Sequence, residues 1–214
     1  MEILNQLSSQ KGDKTEISNQ LVAEKCLANS RLLAEIAVGL EYKDKKLQAD
    51  CIEVFTMVSE KKPEFIVPYA DNILALLSSK EGKIRWEAVH TLSFIAAKIP
   101  DIIFSILPTL KSLIEKDKST IVRDYSIDTI ANYAKISVET SKEAYELLKF
   151  ILELWGEKHA RQVLRGFNYV LDNFSDYKAE INFLVQPYLT ANKKIVAEEA
   201  KKIIKRTEKL IINN

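Results

Sequence analysis

Apolar and polar residues alternate along the chain with the period of an α-helix, and one nine-residue pattern recurs. The pattern of residues 84–92 reappears in residues 122–130, after an offset of 38 residues. Related patterns lie 37 residues before the first segment, in 47–55, and 37 residues after the second, in 159–167. Periods of about 20 to 50 residues are typical of folds that stack one structural unit many times.

Within these segments, a small residue and a larger apolar residue four positions later fall on one face of a helix. The pairs are Cys51 with Phe55, Ala88 with Leu92, and Ser126 with Ile130. We therefore predict that these six side chains are buried between helices. The segments themselves are predicted to be the second helices of successive helix pairs.

Another amphipathic run precedes each of these helices and begins at a helix-start signal. Pro63 and Pro100 provide two of the signals, and Thr140-x-x-Glu143 has the pattern of a capping box. Extending the phase predicts helices near 2–10, 13–27, 29–41, 44–60, 63–79, 82–98, 101–116, 119–136, 140–155, 158–174, 177–191 and 193–211. Short connections make neighbouring helices antiparallel. The sequence thus predicts one all-α domain over 1–214, with about six antiparallel helix pairs.

The opening of the second helices resembles that of HEAT repeats. The resemblance is carried by Ile84-Arg85-x-x-Ala88 and Val122-Arg123-x-x-Ser126. Asp117, six residues before Arg123, stands where HEAT repeats often carry an acidic residue. The departures are Gln48 in place of the arginine and a one-residue shift in the fourth repeat. This resemblance implies a right-handed α-α superhelix, a solenoid of armadillo type, whose concave surface of second helices binds partners.

The net charge, the first three residues and the length of the apolar stretches limit the classes of protein that fit this sequence. The 31 Lys and Arg residues nearly balance the 30 Asp and Glu residues, so no overall field attracts nucleic acid or an anionic membrane. The start Met1-Glu2-Ile3 is acidic where a signal peptide is basic. No uncharged apolar stretch approaches the roughly 18 residues needed to cross a bilayer. We expect a cytoplasmic protein that has no membrane segment.

Residues with catalytic or metal-binding chemistry are few and scattered. The two histidines, His90 and His159, belong to no His-x-x-x-His or His-Glu pair, and Cys26 and Cys51 form no Cys-x-x-Cys pair. Glycine-rich phosphate loops and nucleophile elbows are also absent from the sequence. We therefore assign no catalytic, cofactor-binding or metal-binding residue, and we interpret both thiols as small buried apolar side chains.

Helical phase nevertheless places a polar group on the predicted concave stripe. Trp86 and His90 lie one turn apart beside the core positions of their helix, and equivalent offsets in the next two repeats complete the set. The predicted partner-binding residues are Trp86, His90, Asp124, Asp128, Arg161 and Arg165. Arginine offers two-pronged contacts to carboxylate or phosphate, and tryptophan offers a flat stacking surface. A ladder of ion pairs between solvated positions is the alternative interpretation.

One resemblance points to an alternative function. Trp86-Glu87-Ala88-Val89-His90 is similar to the Trp-x-x-x-Asp pattern of bacterial HEAT-like DNA alkylation-repair glycosylases, in which a concave Trp and Asp grip damaged DNA. His90 stands where the carboxylate is expected, and Asp124 stands where a basic residue is expected. The leading hypothesis is therefore a non-catalytic scaffold that binds a protein segment. DNA binding or glycosylase-like repair through the same groove is the alternative.

Overall fold

A computed structural model describes residues 2–212, and this part of the chain is helical and contains no strand. Short 3-10 turns extend several of the α-helices or join them. The α-helices are α1 (Ser8–Lys11), α2 (Ile17–Ala28), α3 (Leu33–Gly39), α4 (Lys45–Lys61), α5 (Ala70–Ala75), α6 (Gly82–Ile95), α7 (Pro100–Lys116), α8 (Thr120–Tyr133), α9 (Val138–Trp155), α10 (Ala160–Asn173), α11 (Lys178–Val185) and α12 (Lys194–Ile212). The predicted all-α class is confirmed.

Each predicted helix corresponds to an observed one, and the differences lie at helix starts and at ends where a 3-10 turn replaces the last α-helical turns. The helix expected from residue 13 begins at Ile17 instead. The Asp13 carboxylate accepts hydrogen bonds from the amides of Thr15 at 2.8 Å and Ser18 at 3.2 Å, which holds a turn before the helix. Short polar side chains stabilise such turns in competition with helical backbone bonds.

The predicted capping box at Thr140 and Glu143 is wrong. Helix α9 starts earlier, at Val138, and its N-cap is Ser137. The Ser137 hydroxyl accepts from the Thr140 amide at 3.3 Å, and the Thr140 hydroxyl accepts from the Ser137 amide at 3.0 Å. Glu143 instead accepts a hydrogen bond from the Tyr133 hydroxyl. A threonine at the third helical position thus takes the role that the sequence pattern gave to a glutamate.

The described residues form two compact units, which divide after Ile99. In unit 1, α4 packs between α2 and α6, and α3 and α5 pack on α4 and α6 respectively. In unit 2, α10 packs between α8 and α12, and α7, α9 and α11 each pack on the helix that follows. We call α2, α4, α6, α8, α10 and α12 the second helices. A single domain over 1–214 stays a prediction.

The predicted core positions are confirmed in both units. Six side chains were expected at core phase, and each is fully buried: Cys51, Phe55, Ala88, Leu92, Ser126 and Ile130. Cys26 is also fully buried, and both cysteines are free. Burial raises the pKa of Cys26 to about 11 and that of Cys51 to about 12, so both thiols stay protonated at neutral pH.

The arginine of the repeated motif closes the turn that precedes its helix. Arg85 donates to the carbonyl oxygens of Ser79 at 2.7 Å and Lys80 at 3.1 Å. Arg123 is buried, donates to the Lys118 carbonyl at 3.4 Å and lies 4.4 Å above the ring of Trp155. In both helices, the guanidinium thus satisfies carbonyl oxygens of the short connection that precedes the helix.

Candidate functional site

The second helices of unit 1 hold a group of buried carboxylates. Asp50 and Glu53 lie on α4 and Glu87 lies on α6, and each is less than a tenth exposed. Carboxylates are found in protein interiors only when hydrogen bonds or cations stabilise them. We refer to Asp50, Glu53 and Glu87, together with their donors, as the carboxylate network.

Asn19 of α2 joins two members of the carboxylate network. Its side-chain amide donates to Asp50 at 3.1 Å and to Glu53 at 2.9 Å, while its carbonyl oxygen accepts from the Ser8 amide at 2.9 Å. The Ser9 amide donates to the other Asp50 oxygen at 2.7 Å. The segment around α1 therefore covers the start of α4 and shields these carboxylates from solvent.

Few further donors contact Glu53 and Glu87. Lys83 lies 3.2 Å from Glu53, and Thr56 donates to Glu87 at 2.7 Å. Burial raises the pKa of Glu87 to about 7, against the opposing effect of the Thr56 hydrogen bond, and burial also raises the pKa of Glu53. These carboxylates therefore hold protons more tightly than solvated ones do.

A cavity of about 500 Å³ opens at the edge of the carboxylate network. Its polar lining includes Glu16, Asp50, Glu53, Lys46 and Lys83. In this lining, Asp50 and Glu53 already have protein donors, so the carboxylate network has a structural role. Among the described residues, no group of three or more His, Cys, Asp or Glu side chains is arranged to hold a metal ion.

Trp86 and His90 lie on α6 of unit 1, and both are partly exposed. The Trp86 indole nitrogen is buried and has no hydrogen-bond partner among the described residues. The His90 ring lies 5.0 Å from the ring of Phe94, and burial lowers the pKa of His90 to about 4. At neutral pH this imidazole is uncharged and cannot replace the carboxylate of the glycosylase pattern.

The other four predicted residues lie in unit 2, on the adjacent second helices α8 and α10. Asp128 of α8 forms an ion pair with Arg165 of α10. The matching offsets predict that Asp128 lies close to His90 or to Arg165, and the structure shows the contact with Arg165. Arg161 is exposed and has no hydrogen-bond or ion-pair partner within residues 2–212. Asp124 is partly exposed, and its partner is a histidine rather than an arginine.

His159, which precedes α10, is the residue that sequence reasoning missed in this group. Its side chain is fully buried, and its Nδ1 lies 2.6 Å from the carboxylate of Asp124. Its Nε2 is buried and has no partner. The ring of Trp155 meets the His159 ring edge-on at 5.5 Å, and the Trp155 indole donates to the Ile114 carbonyl at 3.1 Å. The available signal was a histidine two residues before Arg161 in the shifted fourth repeat.

Further polar contacts link α10 with α12. Asp172 accepts from Arg206 at 2.7 Å, and Glu199 accepts from Asn168 at 2.7 Å. Together with Asp128 and Arg165, these contacts form a ladder of polar pairs along unit 2. The structural alternative therefore describes part of this face well. Asp124 and Arg161 stand outside the ladder, because neither has an oppositely charged Lys, Arg, Asp or Glu partner in the described chain.

The prediction that all six residues lie on one continuous surface concerns both units, and it stays a prediction. Within the units, α6 carries Trp86 and His90, and α8 and α10 bring Asp124, Asp128, Arg161 and Arg165 together. None of the six side chains is fully buried. Their role in binding is likewise a prediction.

No protein-family model matches the chain, and no curated protein matches it. Solved structures match it over nearly its whole length. An engineered protein is 16% identical, with a TM-score of 0.71 over 97% of this chain and 96% of its own. A designed armadillo repeat protein in complex with the peptide (KR)4 is 14% identical, with a TM-score of 0.72 over 96% and 98%. A computationally designed armadillo repeat protein for modular peptide recognition is 14% identical, with a TM-score of 0.70 over 95% and 98%.

These likenesses show the fold. The chain has the all-α solenoid fold of armadillo and HEAT-type repeat proteins, which confirms the fold predicted from the repeated helix pairs. None of the described helices combines the length and the apolar composition that a membrane span requires.

Proposed function

We propose that this protein is a non-catalytic scaffold that binds a segment of a partner protein along the exposed faces of its second helices. The observation that carries the proposal is a pair of charges on adjacent second helices of unit 2 that form no ion pair with a Lys, Arg, Asp or Glu side chain of the described chain. Asp124 presents a carboxylate and Arg161 presents a guanidinium, and both are accessible to solvent. Charges without an oppositely charged Lys, Arg, Asp or Glu partner are available for pairing with a ligand, at little cost to the free protein.

The fold supports this proposal. Stacked helix pairs present side chains at matching positions on successive second helices, which suits an extended peptide. Two of the designed structures with the same fold are described by their peptide recognition, one of them in complex with (KR)4. Within unit 1, Trp86 and His90 provide a flat aromatic and a neutral imidazole on α6.

The alternative is a DNA-binding or glycosylase-like protein that uses the same face. Asp124 argues against it, because an accessible carboxylate repels phosphates. The neutral His90 also lacks the charge that the glycosylase pattern requires. Nucleic acid is therefore a tested outcome and not a second proposal.

The proposal is tested by selecting peptides from a displayed random library on the immobilised protein and measuring their affinity by fluorescence anisotropy. We expect Arg161→Glu to weaken the selected peptides at least tenfold, since a reversed charge repels what the guanidinium attracted. The melting temperature should change little, because Arg161 is exposed.

Lys116→Glu is the matched control, because Lys116 is exposed at the end of α7 and undergoes the same change in charge. Equal losses for both variants would indicate a general charge effect and contradict the proposed site. Duplex DNA is measured in parallel over a range of salt concentrations. Micromolar affinity for DNA that falls steeply with salt would favour the alternative.

A further inference from the structure

We infer that Asp124 is a preset anchor for a positively charged side chain of the bound segment, and that buried His159 holds its carboxylate in place. The inference rests on the proposed function, since it names the chemistry that one part of the binding face recognises. Its evidence is the geometry of His159, which no sequence pattern suggested. Asp124 is the residue that would touch the ligand, and His159 acts through it as a positioning residue.

The location of the proton on His159 follows from its two nitrogens. Nδ1 faces a carboxylate oxygen of Asp124 at 2.6 Å, whereas Nε2 is buried and has no partner. A proton on Nε2 would be a buried donor without an acceptor, which is more costly than an unused lone pair. The arrangement therefore favours the tautomer that carries its proton on Nδ1 and donates it to Asp124.

The imidazole is held by its surroundings. Its side chain has no exposed surface, and Trp155 packs edge-on against the ring at 5.5 Å. Trp155 is itself anchored by its hydrogen bond to the Ile114 carbonyl and by Arg123 stacked on its face. A donor held this rigidly fixes the orientation of its acceptor, as supporting residues do around other binding groups.

The anchored carboxylate keeps its negative charge available. Its partner His159 faces it through Nδ1, and no Lys or Arg in the described chain forms an ion pair with Asp124. The neighbouring Asp128 differs, because Arg165 neutralises it. The Asp124 side chain is 29% exposed, so a ligand can reach it. A fixed, accessible and uncompensated carboxylate suits an ammonium or guanidinium group, because little ordering is needed on binding.

The test uses two fluorescein-labelled probes: a twelve-residue peptide that alternates lysine with alanine, and its counterpart with glutamine at each lysine position. We expect the wild-type protein to prefer the lysine peptide. Asp124→Asn should reduce its affinity for the lysine peptide about tenfold and leave its affinity for the glutamine peptide unchanged. Asp176→Asn, at an exposed position of unit 2, is the matched control and should behave like wild type.

Two substitutions separate positioning from a merely structural role of His159. His159→Phe keeps a ring but has no donor, and should lose most of the preference for lysine. The amide nitrogen of asparagine lies two bonds from Cβ, as Nδ1 of histidine does. His159→Asn should therefore retain the affinity for the lysine peptide to within about threefold. In the Asp124→Asn background, His159→Phe should cause no further loss of affinity. A structural role would instead lower the melting temperature of both His159 variants without changing peptide preference.

A second measurement does not depend on how well the variants fold. Nitrogen-15 NMR of the histidines in the wild-type protein should show a protonated Nδ1 and an unprotonated Nε2 for His159 at neutral pH. The opposite tautomer would overturn the inference, and so would failure of the wild-type protein to prefer the lysine peptide. If library peptides still bind and still depend on Arg161 in that case, the proposed function stands and the anchor at Asp124 is wrong.

Discussion

The two units use similar second helices to hold polar groups in opposite ways. In unit 1, Asp50, Glu53 and Glu87 are buried and share few donors, of which Lys83 is the one cation in direct contact. In unit 2, acidic side chains such as Asp128 and Asp172 are more exposed and face an arginine each. Buried carboxylates depend on every donor they have, whereas exposed pairs contribute little to stability.

The cause of this difference is local. In unit 1, the segment around α1 and the start of α2 lies over the carboxylates and donates to them from Ser9 and Asn19. In unit 2, Asp124 and Asp128 of α8 and Arg161 and Arg165 of α10 each keep part of their surface in solvent. We therefore expect the carboxylate network to be structural and the second-helix face of unit 2 to be available for binding.

The largest expected effects lie in the apolar cores, where the two units should not differ. Leu92→Ala in unit 1 and Ile130→Ala in unit 2 each remove a fully buried side chain and should cost about 2–5 kcal/mol. The free energy of unfolding is measured in urea. Each unit contains one tryptophan, Trp86 or Trp155, whose fluorescence reports on it. A loss below about 1 kcal/mol in either unit would contradict the common core register.

The next effect is a dependence of unit 1 on pH. The pKa of Glu87 is about 7 in the folded state, above the ordinary value of 4.5 for a glutamate, because the carboxyl is buried. A raised acid pKa adds stability at low pH, which is lost as pH rises from about 4.5 through 7. The loss should approach about 3 kcal/mol. Urea unfolding monitored by Trp86 at pH 5 and pH 8 measures it.

Glu87→Gln is the control for this pH dependence, because an amide of similar shape cannot ionise. The variant should lose most of the difference between pH 5 and pH 8. An unchanged pH dependence in this variant would assign the effect to another group. Glu53 is the first to examine, since burial also raises its pKa.

Removing one hydrogen-bond donor should have different effects on the stability of the two units. Asn19→Ala takes a hydrogen bond from each of Asp50 and Glu53, and should cost unit 1 about 2–3 kcal/mol. Asn168→Ala is the matched change in unit 2, where the amide donates to the partly exposed Glu199. Water can replace that donor, so the cost should stay below about 1 kcal/mol. Equal costs for the two variants would remove the distinction between the units.

An effect smaller than that of Asn19→Ala is expected for the ion pair of unit 2. Arg165→Ala should lower stability by about 1–2 kcal/mol, because the arginine is 41% exposed but its partner Asp128 is mostly buried, and burial raises the pKa of that carboxyl. Urea unfolding followed by Trp155 fluorescence measures the change. A cost above about 3 kcal/mol would place Asp128 in the class of buried carboxylates seen in unit 1.

The amino-acid sequence by itself determined the all-α class, the helices and the register of the core. These follow from spacing along the chain, because residues such as Ala88 and Leu92 must share a helix face whatever packs against it. It also placed Asp128 within reach of His90 or Arg165, since matching offsets in successive repeats become neighbours, and the contact with Arg165 is the one observed. Helix starts were less predictable: α9 begins at Val138, after its N-cap Ser137, because a side-chain exchange of Ser137 with Thr140 replaced the expected box.

Only the tertiary structure decided which polar side chains are buried and which partners they have. Asp50 and Asp124 both lie on second helices. The segment around α1 covers Asp50, whereas the side chain of Asp124 stays 29% exposed. His159 was uninformative in the sequence, because its value lies in a contact with Asp124, 35 residues away. Periodicity reports on the face of one helix, whereas burial and pairing depend on what other segments bring to that face.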